Sequence, residues 1–120
     1  MDTTDPRPQL RIDEGAARVV GSACSACGFP VALVLQRCPL CRSDMREREF
    51  GPGGTVSAST CLRVRVPGHE PPFAIAYVDL DDGPRVLVHT GGDVPVPTGS
   101  RARLVGLTAS GDLASETEVR

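Results

Sequence analysis

Four cysteines fall as Cys24-x2-Cys27-x10-Cys38-x2-Cys41, two close pairs joined by a short link. A Cys-x-x-Cys turn aims two thiolates at one point, and two such turns complete a tetrahedron around an ion, with metal–sulfur distances of about 2.3 Å. Four protein ligands leave no coordination position for water or substrate. The pattern therefore points to a structural Zn²⁺ held by Cys24, Cys27, Cys38 and Cys41, not to metal catalysis. The neighbouring residues agree. Gly28 follows the first pair, where a positive φ is easiest, and Pro39 lies inside the second, where a fixed φ pre-forms the turn.

Two alternatives stay open for the quartet. Disulfides are one, although reduced thiols are the rule in the cytoplasmic compartment expected below. Iron is the other, since electron carriers with the same two turns bind it through four thiolates. Such carriers need a dry aromatic shell, and only Phe29 and Phe50 lie near the turns. Colour separates the ions, ferric thiolate being red and zinc thiolate colourless. The fifth cysteine, Cys61, has no adjacent His and no Cys-x-x-Cys partner, and reads as a half-buried strand residue.

Little else in the chain could do chemistry. His69 and His89, the only histidines, sit in a Pro-Gly-His-Glu-Pro-Pro loop and at a strand end, where a solvated or hydrogen-bonded imidazole is the expectation. Asp79, Asp81 and Asp82 read as the solvated end of a hairpin. No Ser-His-Asp set, paired buried carboxylates, phosphate loop or open metal site can be assembled, so a noncatalytic role is expected. Four arginines form the remaining candidate site. Arg63 and Arg65 share one strand face, Arg101 and Arg103 another, and neighbouring strands would merge them into an anion patch suited to a phosphate group or to a partner's acidic rim.

The elements that must position these residues are all strands. Residues 10–23 read as a hairpin around Asp13-Glu14-Gly15, leading into the cysteine turns, and Val31 to Leu35 as the strand between the turns. Gly51-Pro52-Gly53-Gly54 should break regular structure and mark a boundary. Beyond it Val56, Ala58, Thr60, Leu62, Val64 and Val66 alternate with Thr55, Ser57, Ser59, Cys61, Arg63 and Arg65, the pattern of one long half-buried strand. Phe73 to Leu80 is apolar on both faces and should be central, Asp81-Asp82-Gly83 turns the chain, and Arg85 to Thr90 and Arg101 to Leu107 complete the set. The expected fold is all-β: a small rubredoxin-like zinc ribbon followed by a five-stranded OB-like barrel. The expected division is an N-terminal arm over 1–17, the ribbon over 18–50, the barrel over 51–110 and a C-terminal tail over 111–120.

Composition narrows the function. With 120 residues the chain is too short for a large multidomain enzyme. Its formal charge is −2, and four thiolates with one Zn²⁺ make the folded protein more negative still, which discourages phosphate backbones. Its longest apolar stretch, Phe29 to Leu35, contains Pro30 and falls far short of the roughly 20 residues of a membrane span. The first residues are acidic and carry Pro, unlike a secretory signal, so a cytoplasmic address is expected.

In order and type, Cys24-Ser25-Ala26-Cys27-Gly28, Cys38-Pro39-Leu40-Cys41, Gly51-Pro52-Gly53-Gly54-Thr55-Val56 with Ser59-Thr60, and Pro72 to Leu80 with Asp82-Gly83-Pro84-Arg85-Val86 resemble the zinc-ribbon/OB-fold proteins that accompany acyl-CoA enzymes. The resemblance spans about 18–107. It departs at Arg42, where a small residue is usual, and at the N-terminus, which lacks the family's helix. The resemblance implies an accessory subunit whose partner is a thiolase-like condensing enzyme, a lipid-transfer-type aldolase or a hotdog-fold hydratase, in some cases lying against a CoA thioester. A single-stranded nucleic-acid-binding module is the alternative, because ribbons and OB barrels both serve that end; it needs a cationic groove and exposed aromatic rings. A stand-alone electron carrier is the third reading, tied to iron.

Overall fold

The computed structural model describes residues 9–13 and 16–117. The arm over 1–8, the Glu14-Gly15 turn and the last three residues lie outside the described set. Nine strands run through the rest: β1 (Gln9–Asp13), β2 (Ala16–Cys24), β3 (Pro30–Val31), β4 (Met45–Phe50), β5 (Gly53–Leu62), β6 (Phe73–Leu80), β7 (Arg85–His89), β8 (Arg101–Leu107) and β9 (Leu113–Thr117). The fold is all-β, and no helix among the described residues is long and apolar enough to cross a membrane.

The first four strands make a ribbon sheet. Antiparallel pairing joins β1 to β2 (Leu10 opposite Val19), β2 to β3 (Ser22 opposite Val31) and β2 to β4 (Cys24 opposite Met45). The strand expected over Val31–Leu35 is reduced to Pro30–Val31. The buried Ser22 explains why: its hydroxyl donates to the Leu33 carbonyl at 2.7 Å and accepts from the Leu35 N–H at 3.1 Å. A side chain thereby takes the backbone groups that a longer strand would have used. In sequence, β2 runs through the 17/18 boundary drawn above.

The other five strands close into a barrel in the order β5-β6-β7-β9-β8, back to β5. Every ladder is antiparallel except β7 with β9. This is the five-stranded Greek-key barrel of an OB fold. Ala74, Ala76, Val78 and Leu80 of β6, Val86 and Val88 of β7, and Ala102 and Leu104 of β8 are buried at alternate positions.

Three sequence expectations change here. The long alternation after Val56 is interrupted by a bulge between Val56 and Ala58. One extra residue reverses the faces, so Ala58 and Thr60 are exposed although Val56 is buried. The strand ends at Leu62 opposite Phe73, leaving Arg63 to Val66 in the following loop. The tail expected from residue 111 contains β9, whose Leu113 and Ser115 are buried and whose pairing closes the barrel. Finally, Gly53 and Gly54 belong to β5, and Gly51 is braced: its N–H donates to Asp82 at 2.9 Å and its carbonyl accepts from Arg18 at 2.6 Å.

Sheet and barrel share one core. Ala17 and Val19 of β2 and Phe50 of β4 pack in the same buried cluster as Val56, Val78, Leu80, Val88 and Leu104. Burying a Phe ring fully stabilises by about 1.5–3 kcal/mol, and Phe50, fully buried, does so at the junction.

Candidate metal centre

The two cysteine turns are built alike. In the first, the Gly28 N–H donates to the Cys24 carbonyl at 3.0 Å; in the second, the Arg42 N–H donates to the Cys38 carbonyl at 2.9 Å. Both closing residues have positive φ, 78° at Gly28 and 65° at Arg42. Arg42 thus stands where glycine is cheapest, and it is the one non-glycine with positive φ among the described residues. The Ser25 N–H and hydroxyl both donate to the Asp44 carbonyl, at 3.1 and 2.9 Å, and tie the first turn to the second.

The four sulfurs converge. Cys24 Sγ is 3.4 Å from Cys41 Sγ, and Cys27 Sγ is 3.7 Å from both Cys38 Sγ and Cys41 Sγ. All four sulfurs lie within 4.8 Å of one another. A tetrahedron with metal–sulfur bonds of about 2.3 Å has edges of about 3.8 Å, so the quartet fits an ion of zinc's size. Backbone N–H groups of Ala26 and Cys27 point at Cys24 Sγ at 3.3 Å, and that of Leu40 at Cys38 Sγ at 3.4 Å. Such bonds favour thiolate over thiol. Cys24 is accordingly lowered, chiefly by the Cys27 amide, and Cys41 is lowered to about 6, chiefly by the Ser43 hydroxyl. Cys27 meets a favourable Phe29 amide, yet the Cys24 sulfur, burial and the sulfurs of Cys38 and Cys41 push it up to about 12. Crowded sulfur atoms resist a fourth negative charge until a cation joins them. Cys24 and Cys38 are buried, Cys27 and Cys41 exposed, and all of them are free of disulfides.

The four arginines fall at the two ends of β5. Arg101 and Arg103 sit beside the start of β5, opposite Thr55 and Gly53, whereas Arg63 and Arg65 follow its end. Arg101 is engaged locally, donating to Thr55 at 3.0 Å and to Asp81 through a forked pair of 2.8 and 2.5 Å. Arg63 and Arg65 are exposed. The hairpin acids are paired instead of merely solvated: Asp79 accepts from Arg85, Asp81 from Arg101 and Asp82 from Gly51. Cys61 is half-buried. Of the two aromatic residues of β6, Phe73 is covered and Tyr77 is exposed.

One cluster was not anticipated. His69 and His89 stack on each other and meet Asp112 on the barrel. Their separation in sequence hides this; only the identity of the two histidines as the sole imidazoles was available as a signal.

A four-cysteine ribbon on a five-stranded barrel defines a class of small two-part β proteins. The family described as the ChsH2 C-terminal OB-fold domain matches residues 47–107, and the chain belongs to that family. Among solved structures, it is similar to a chain of the Ltp2-ChsH2(DUF35) aldolase, with 27% identity and a TM-score of 0.69 over 85% of this chain and 86% of that one. It also shares the fold of a DUF35-family protein of unknown function from Sulfolobus solfataricus, with 20% identity and a TM-score of 0.61 over 84% and 76% of the two chains. No curated protein matches the sequence.

Proposed function

We propose that this chain is a noncatalytic accessory subunit of an acyl-CoA-processing assembly, with a lipid-transfer-type aldolase as its partner, and that Cys24, Cys27, Cys38 and Cys41 hold one structural Zn²⁺. The observation that carries the reading is the likeness, along most of both chains, to a chain of an aldolase assembly. The sulfur geometry supports the zinc assignment. The ion stiffens the loops that carry Leu33, Val34 and Leu40, whose apolar side chains are exposed and suit a partner surface. Unpaired strand edges are available to a partner on the ribbon and also on the barrel, where β7 meets β9 only at His89 opposite Ala114. Exposed Arg63 and Arg65 suit an acidic rim on the partner.

The test is isolation of the native assembly by a tag on this chain, with mass spectrometry of what co-elutes and assay of aldol cleavage by the assembly and by each part. A stoichiometric aldolase subunit that loses activity or solubility without this chain is the expected result. A thiolase-like or hydratase subunit in its place would move the partner assignment. Recovery of nucleic acid alone, with micromolar single-stranded DNA binding and a steep salt dependence, would overturn the reading.

A further inference from the structure

The loop after β5, the end of β7 and the turn before β9 bring together His69, His89 and Asp112. His69 Nε2 lies 2.7 Å from Asp112 Oδ2, and His89 Nε2 lies 3.7 Å from the same oxygen. A fourth donor, Ser110 Oγ, stands 2.8 Å from His69 Nε2. The three principal ligand atoms all lie within 4.8 Å of one another. We propose that this cluster is a second metal site of the protein, taking a first-row divalent cation such as Zn²⁺ or Co²⁺ through His69 Nε2, His89 Nε2 and Asp112 Oδ2, with Ser110 as an additional oxygen donor.

Ligand type and access both fit. Two imidazoles and one carboxylate are a borderline set that selects such cations over Ca²⁺ or Mg²⁺. Ligand atoms about 2.1 Å from a shared ion stand about 3.0–3.4 Å apart, a range that the separations of 2.7 and 3.7 Å bracket. Side-chain exposures of 12% for His69, 17% for His89 and 30% for Asp112 leave the cluster shielded but reachable. Phe73 forms the dry wall, its ring centroid 5.2 and 5.5 Å from those of the two imidazoles. His69 also borders an open hollow with Arg65 and Glu70, which offers an ion a way in.

The supporting backbone is fixed. The Thr108 N–H donates to the Asp112 carbonyl at 2.7 Å, the Gly111 N–H to the Thr108 carbonyl at 2.9 Å, and the Asp112 N–H to the Thr108 hydroxyl at 3.1 Å. Gly68 lets the histidine loop touch this turn, since a Cβ there would stand 2.7 Å from Ser110 Cβ. The imidazoles stack at 4.0 Å with planes 13° apart. Their Nε2 lone pairs lie in the ring planes, so the rings must tilt toward each other to share an ion. Ion capture is therefore coupled to opening of the stack.

The chain has two histidines, so imidazole NMR signals of untagged protein report on this site alone. The experiment titrates zinc-loaded, untagged protein with Zn²⁺ at pH 7.5, reading metal stoichiometry by equilibrium dialysis and histidine ring signals in parallel, and repeats the optical part with Co²⁺. Expected are a second equivalent of metal, shifts of both histidine rings saturating with it, and a Co²⁺ spectrum without thiolate charge transfer. His89→Gln and Asp112→Asn should weaken the second equivalent at least tenfold and leave the first in place. Glu70→Gln should leave both within twofold. Absence of a second equivalent, or its binding with unmoved histidine signals, overturns the proposal whether or not the variants fold.

Discussion

Gly83 lies flat against the ring of Phe50: a Cβ at residue 83 would stand 2.2 Å from Cδ1 of that ring. Gly83 belongs to the turn between β6 and β7 of the barrel, and Phe50 is the last residue of the ribbon sheet. The contact makes ribbon and barrel one packed body, and the hydrogen bond from Gly51 to Asp82 beside it ties the same two parts.

Gly83→Ala should therefore destabilise the whole protein. Overpacking costs about 1–3 kcal/mol, and the neighbour here is a fully buried ring. Phe50→Ala should cost about 3–5 kcal/mol by leaving a cavity. Urea unfolding followed by circular dichroism reads both. A Gly83→Ala protein as stable as the parent would mean that the junction is loose.

Loss of a cysteine should act locally. In Cys24→Ser or Cys38→Ser, the thiolate-bound equivalent of zinc is lost, and amides of residues 24–44 exchange freely with solvent. Amides of β5 to β9 stay protected, and so do those of Val19 and Phe50, whose side chains sit in the barrel's core. Uniform loss of protection across the chain would contradict this division.

Arg42→Gly should strengthen the second turn. A non-glycine residue in the left-handed region costs about 1–2 kcal/mol, and glycine's larger unfolded entropy offsets about half of that. The net gain is about 1 kcal/mol or less, read as slower zinc transfer to a chelator. Arg42→Val, with a branched Cβ at φ 65°, should speed that transfer. If both variants release zinc at the parent's rate, the turn does not limit metal retention.

Acid sensitivity follows from Arg101 and Asp81. The Arg101 hydrogen bond holds the Asp81 carboxyl below the ordinary aspartate value of 3.8. The unfolded chain then binds this proton more readily than the folded one, so the pair stabilises fully above pH about 4 and its contribution is lost as pH falls through the lowered value. Asp81→Asn should lower Tm at pH 7, with the difference shrinking as the pH falls below the ordinary aspartate value. Asp81 is 55% exposed, so the effect is small and weakened by salt. A Tm difference that does not change with pH would assign the loss to packing instead.

What the sequence discloses and what it hides divide along physical lines. The cysteine quartet is legible because two short turns fix its geometry within each pair, and β6 is legible because its apolar pattern is uninterrupted. The end of β5 is hidden because a bulge at Val56/Ala58 leaves no mark in the residue types. The two-residue β3 is hidden because Ser22, eleven residues before Leu33, captures the backbone that would have extended it. Strand β9 has only Leu113 and Ala114 as apolar signal, and its inward-facing Ser115 is polar, too little to read. His69 and Asp112 are 43 residues apart and meet only once the barrel has closed.

That closing strand sets an order of events during synthesis. Since β9 is the partner that β8 and β7 both need, the barrel remains an open, sticky sheet during synthesis until residues 113–117 have emerged. The cysteine turns, complete by residue 44, can be seated much earlier. The nascent protein would thus present seated cysteine turns beside an open barrel, with Val19 and Phe50 still lacking their barrel neighbours, and variants without β9 should be degraded, not merely weakened.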